Sequence, residues 1–338
     1  MKTNLKSGII LLILILLGAV SSYSAEYNKL AQTGLKFLTV PMDARASAMA
    51  GAMTSMPGSS NSLFFNPAGM AELEYAGDFS LGQVKWIGDI NYVFGSIAFR
   101  PMQGRFGVLG LSLVSVDYGE MYNTILADNE QGFLELGEFR PTAYALGLGY
   151  AKALTDRFWV GGQAKYVFQS LGSGITGFQS DQTQITRNFE VNVMAFDFGV
   201  LYRTGFKSLN FGMSVRNFAK EITYIQESFQ LPLTFKMGVS MNVLDLYNIS
   251  SERHRLYLSV DAVHPRDFTE QLNFGVEYTL LGALALRAGY TSPTDEQGIN
   301  LGAGFYQSLS NFGLHIDYSY TDFGVFNEVH RFTFDFSF

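Results

Sequence analysis

The chain has four histidines, and one of them, His315, has a carboxylate, Asp317, two residues away. On a strand that spacing puts both side chains on one face, where a carboxylate can orient an imidazole acting as a base. The pair lacks a nucleophile to activate. No G-x-S-x-G or H-E-x-x-H pattern occurs, and the absence of cysteine removes both a thiol nucleophile and a thiolate metal site. The plainer reading is preferred: two polar side chains on a wetted strand face. No catalytic residue, metal or cofactor is expected, so the sequence points away from an enzyme.

The elements around that pair carry more information. Phe312, Leu314, Ile316, Tyr318 and Tyr320 alternate with Gly313, His315, Asp317, Ser319 and Thr321. The same period of two runs through 233–243 and 254–264. Successive side chains of a strand point to opposite faces, so each segment has one apolar and one polar face. The polar faces hold Lys165, Asp197, Arg203, Arg216, Lys236 and Arg287, which are costly in a dry core and ordinary in a wet lumen. Segments of about ten residues match a tilted strand crossing a bilayer. Fourteen are expected: 77–86, 91–100, 105–117, 141–151, 157–169, 194–204, 209–218, 233–243, 254–264, 270–279, 282–291, 297–307, 311–321 and 329–338.

The connections between these segments alternate in length. Residues 118–140, 170–193 and 219–232 are long and fall on one side, whereas 101–104, 152–156, 205–208 and 308–310 are short and fall on the other. Long external loops and short periplasmic turns give that parity. Only 244–253 breaks it, as a short periplasmic helix. Composition agrees. Charged residues are 16% of the chain, below the roughly 25% of soluble domains, and aromatics are 15%. A net charge of -7 argues against nucleic acid. The fold class expected is therefore all-β, a transmembrane antiparallel barrel in the bacterial outer membrane, in contact with its lipid. The last segment, with Phe332, Phe334, Phe336 and Phe338 on one face, resembles the C-terminal signal read by outer-membrane insertion machinery.

Two segments precede the barrel. Lys2 and Lys6, the apolar run Ile9–Val20 and the small residues Ser22, Ser24 and Ala25 have the order of a secretory signal peptide, placed at 1–25. Residues 26–76 do not alternate and are rich in Ala, Met, Gly and Ser, as a plug threading a crowded lumen would be. The barrel is assigned to 77–338. Arg45, inside such a plug, needs a partner: Asp197 or Asp261 of the wall, or the carboxylate of a ligand.

Within this plug, Gly34-Leu35-Lys36-Phe37-Leu38, Pro41, Ala44-Arg45, Ala48-Met49, Gly51-Ala52 and Asn66-Pro67-Ala68-Gly69 resemble the N-terminal signature of the PorV/PorQ family. That family is similar in fold to FadL, the long-chain fatty-acid transporter, a fourteen-stranded barrel with an N-terminal hatch. Two departures stand out: Ala50, where the family often has glycine, and Pro57-Gly58, where relatives are often acidic. The resemblance implies a role beside a type IX secretion system, with a secreted cargo protein or translocon barrel as partner. The alternative it leaves open is a FadL-like channel moving a hydrophobic ligand. Residues expected to pack the plug or meet a ligand are Phe37, Leu38, Arg45, Met49, Asn66, Pro67 and Gly69.

Overall fold

Alternating segments leave each strand with one face to bury and one that a hydrocarbon solvent accepts, and a sheet with such faces is stable in a bilayer only if it closes. In the computed structural model it does. The structure describes residues 33–178, 184–224, 227–247, 249, 253–309 and 312–338. The signal peptide expected at 1–25 and the first residues of the plug lie outside them.

Strands β1 (Gly77–Lys85), β2 (Asn91–Phe99) and β3 (Val108–Asp117) are followed by a hairpin of β4 (Met121–Leu126) and β5 (Phe133–Phe139). The wall resumes with β6 (Thr142–Ala153), β7 (Phe158–Phe178), β8 (Gln184–Arg203) and β9 (Asn210–Ala219). A second hairpin, β10 (Ile222–Tyr224) and β11 (Glu227–Phe229), precedes β12 (Thr234–Asn242), β13 (His254–Pro265) and β14 (Gln271–Leu280). The circuit ends with β15 (Leu284–Ser292), β16 (Asn300–Leu309), β17 (Phe312–Asp322) and β18 (Glu328–Ser337). Fourteen of these close into an antiparallel barrel, each paired with its neighbours along the chain, and β18 pairs with β1 through Asp78↔Ser337 to Lys85↔His330.

The barrel is apolar outside and polar inside. Leu148 and Leu286 are 60% and 61% exposed, while Asp197 and Asp261 on the inward faces are 0% exposed. A soluble sandwich would reverse that order; a wall facing lipid requires it. Turns of a few residues mark the periplasmic end, and hairpins mark the external end. The expected strands agree with those found to within a few residues, with one clear difference. β7 and β8 continue past the expected bounds and pair as far as Phe178↔Gln184, so most of the predicted loop 170–193 is a ladder rising beyond the lipid-facing wall. The expected periplasmic helix at 244–253 is a 3-10 turn, Val243–Tyr247.

Residues 33–76 run down the inside of the barrel. Gly34 N–H bonds to the Gln230 carbonyl near the external end, and Arg100 N–H bonds to the Ala76 carbonyl at the periplasmic end. One side of this segment is apolar: Phe37, Leu38, Met42, Phe64 and Phe65 are buried with Phe94, Val114, Ala145, Val167 and Val193 of the wall. Its other side is polar and is fixed to β12–β18.

Candidate functional site

The segment's short helix, Ala44–Ala48, begins at Asp43, whose carboxylate accepts from the Arg45 and Ala46 N–H groups. Alanines and a serine let the helix lie against the wall. Where the backbone itself touches the wall, the strands carry glycine. A Cβ at Gly212 would lie 2.1 Å from the Thr54 carbonyl oxygen, and one at Gly289 would lie 2.4 Å from Ala50 N. Neither distance is physical, so these strands are cut to fit the segment.

Arg45 makes two parallel bonds, Nε and Nη2 each 2.8 Å from a Glu277 oxygen. The partners expected for it were Asp197 or Asp261, and that is corrected. Asp197 is taken by Lys165 Nζ at 2.8 Å, and Asp261 accepts the Thr54 N–H and hydroxyl at 3.1 and 2.6 Å. Register explains the choice, because Glu277 faces the lumen on β14 directly opposite Arg287, which also reaches it at 2.6 Å. Arg287 goes on to Asp317 at 2.7 Å. Of the ionisable groups expected in a wet lumen, Lys165, Asp197 and Arg287 are thus buried and paired: the Arg287 side chain is 0% and that of Glu277 3% exposed. His315 does not use Asp317 as an orienting carboxylate in the described contacts; its ring packs at 4.5 Å from that of Tyr306.

Asn66, Pro67 and Gly69 form a latch. The Asn66 amide donates to the carbonyls of Thr54 and Val200 at 2.7 and 2.9 Å, and its oxygen accepts the Ala68 N–H at 3.1 Å, capping the turn Pro67–Glu72. Pro67 and Ala68 lie over Gly161 of β7, and Gly69 lies over the Ser62 hydroxyl. Met49 is buried and packs on Gly275 of β14. These four residues hold the segment in place and line no described cavity.

Phe37 and Leu38 do line space. Both border a small chamber of about 30 Å³ against β3, β6, β7 and β9. Leu38 also borders a vestibule of about 440 Å³ open to the external end. That volume falls within the range of small-molecule sites. Its wall combines apolar groups (Val40, Phe65, Trp86, Val263 and Phe323) with Arg216, Lys236 and Arg331, and Lys36, Asp267, Asp295 and Glu296 also line it.

These three cations are the residues that sequence reasoning missed as a group. Among the described residues none of them forms an ion pair. Arg331 is 1% exposed; Nε donates to the Pro41 carbonyl at 2.9 Å, Nη1 to the Thr321 hydroxyl at 3.0 Å, and the guanidinium lies 5.3 Å from the Trp86 ring centre. Among the described residues Lys236 Nζ reaches the Gly51 carbonyl, at 3.4 Å, and Arg216 Nε is buried with no hydrogen-bond partner. Asp197, Asp261 and Asp43 act on Arg216, Lys236 and Arg331 across space without bonding to them, so each cation keeps bonding capacity that an entering anion can use. The inward phase of Arg216 and Lys236 was legible in the alternation; their lack of partners was not.

At the lip of the vestibule, Asp267 holds the start of the segment. It accepts from Lys36 Nζ at 2.5 Å and from the Thr33 hydroxyl. Burial favours its neutral acid, but the bonds from Lys36 and Thr33 outweigh burial and hold the carboxyl below its ordinary value.

No protein-family model matches the sequence. No curated protein matches it either. Solved structures do. The toluene transporter TbuX of Ralstonia pickettii is 13% identical, with 88% of this chain and 98% of that one covered and a TM-score of 0.57. The toluene transporter TodX of Pseudomonas putida is 11% identical over the same shares, at 0.57. A FadL homologue of Pseudomonas aeruginosa is 12% identical, again over 88% and 98%, at 0.52. Taken with its lipid-facing exterior, this similarity makes the chain an outer-membrane β-barrel with the fold of the FadL-type transporters.

Proposed function

We propose that this barrel is a channel for hydrophobic small molecules, and that those it takes carry one anionic group. The vestibule supports this reading: an externally open cavity with an apolar wall and three cations that are not ion-paired among the described residues. An alkyl or aryl body would lie against Trp86, Val263 and Phe323, with the acid among Arg331, Lys236 and Arg216. TbuX and TodX are transporters of toluene, a neutral molecule; the cations are the reason for assigning an acid here.

Trp86 is a natural reporter, since Trp159 is the only other tryptophan. In a Trp159→Phe background, a medium-chain alkyl carboxylate is expected to change Trp86 emission at a concentration at least tenfold lower than the alcohol of equal length. Equal responses to acid and alcohol would remove the cations from the reading. No response to either would remove the vestibule.

The secretion reading, with a secreted protein or translocon barrel bound outside, finds support in one feature. The β4–β5 hairpin exposes Leu126 to 95% and Tyr122 to 67%, an apolar surface beyond the wall. The two readings separate on deletion of 119–139, which leaves ligand binding intact if the vestibule works alone.

A further inference from the structure

Charge is unevenly divided between the two ends of the barrel. The external connections 86–90, 118–141, 220–233, 266–270, 293–299 and 323–327 carry twelve carboxylates and three cations. On the periplasmic side, the stretches 72–76, 100–107, 152–157 and 203–209 carry six cations and three carboxylates, and the sequence 243–253 on the other side of the barrel adds Asp245, Glu252 and Arg253. One of those carboxylates, Glu72, is bonded to Arg203, and another, Asp156, lies 3.8 Å from Arg157. In a chain of net charge -7, this is a local reversal of sign.

These periplasmic stretches form one surface. The turn after β2 meets the periplasmic end of β6 where the Tyr150 hydroxyl donates to the Phe106 carbonyl at 2.8 Å. The turn after β6 meets that after β8 where Arg203 N–H donates to the Arg157 carbonyl at 2.9 Å. Along this arc, cations alternate with exposed apolar side chains: Met102 is 74%, Phe106 57%, Leu154 56% and Phe206 51% exposed. Immediately above them are the lipid-facing residues Phe99, Leu109, Tyr150 and Tyr202, all 41% exposed or more.

We propose that this arc binds anionic phospholipid headgroups of the periplasmic leaflet. The arc continues the lipid-facing wall at the depth where phosphates begin. Its apolar tips insert among acyl chains, while Arg105, Lys152 and Arg157 extend their stems along them and place charge at the headgroups. An acidic protein would match the charge but not the apolar tips pointing into the leaflet.

The test is native mass spectrometry of the full-length protein in a neutral detergent. Phosphatidylglycerol or phosphatidylcholine of identical acyl chains is added to the wild type, to an arc variant (Arg105→Gln, Lys152→Gln and Arg157→Gln) and to an external control (Arg140→Gln, Lys220→Gln and Arg266→Gln). Wild type and control should retain phosphatidylglycerol over phosphatidylcholine, and the arc variant should lose roughly fivefold of that preference per cation removed. In wild type alone, raising salt from low to molar concentration should abolish the preference, a readout independent of whether the variant folds. Equal retention of the two lipids by wild type, or a preference that survives in the arc variant or in high salt, overturns the proposal. Capture of poly-glutamate by wild type with no lipid preference overturns it in favour of an acidic protein partner. Because the vestibule is itself proposed to take an anionic amphiphile, Lys236→Gln with Arg331→Gln is measured beside the arc variant; a phosphatidylglycerol preference lost in that variant and kept in the arc variant overturns the proposal and leaves the channel reading standing.

Discussion

Ala50 carries φ +54°, in the left-handed region, and is followed by Gly51 at φ +73°. An L-residue is held there at a cost of roughly 1–2 kcal/mol. An alanine at this position therefore has a physical price. Ala50→Gly should stabilise the barrel by up to about 1 kcal/mol, after the greater freedom of glycine in the unfolded chain is subtracted. A rise in the thermal midpoint is the expected result, and a fall contradicts the strain argument. Arg45 belongs to the same scale. Removing it as Arg45→Met leaves Glu277 with Arg287 and loses two charge-assisted bonds, about 2 kcal/mol. Amide exchange over residues 44–53 should accelerate by roughly thirtyfold. Unchanged exchange would show that packing on the glycine-lined wall holds the helix without the ion pair.

Among the elements, the wall strands were the most legible part of the sequence, because each must show lipid one face and the lumen the other. β7 and β8 were cut short for the same reason. Beyond the bilayer there is no hydrocarbon to face, and Ser170, Gly172, Ser173 and Gly174 show no alternation although the ladder continues. The partner of Arg45 was illegible because inward carboxylates occur on several strands, and only register and depth separate Glu277 from Asp197 and Asp261. The roles of Asn66 and Pro67 were hidden too, since their contacts are the carbonyls of Thr54 and Val200 and the glycine of another strand.

The lip contact of Lys36 with Asp267 gives the segment a pH dependence. A carboxyl held below its ordinary value contributes stability that is complete above the unfolded value, about 3.9, and is lost as pH falls through the lower folded value. Because the chain has no cysteine, a spin label on Thr39→Cys reports this contact cleanly. The label should remain immobile from pH 8 to 5 and loosen only below about pH 4. Asp267→Asn should loosen it at neutral pH. Mobility that rises already between pH 7 and 5 would contradict this assignment.

On the scale of the whole molecule, the barrel is apolar outside, filled along one side by its N-terminal segment, and open at the external end into a cavity of about 440 Å³. Two groups of its inward charges contrast, beside the buried pair Lys165–Asp197. Arg45, Glu277, Arg287 and Asp317 satisfy one another and fix the segment; Arg216, Lys236 and Arg331 do not, and they face the cavity. On the channel proposal, the second group recognises an anion on a hydrophobic body. Flux into proteoliposomes tests it most directly, with a radiolabelled alkyl carboxylate and the alcohol of equal length measured in parallel. Wild type should move the carboxylate faster than protein-free vesicles do. Lys236→Gln with Arg331→Gln should lower that flux at least tenfold and change alcohol flux less than twofold. Carboxylate flux equal in wild type and variant, or equal to that of protein-free vesicles, contradicts the account.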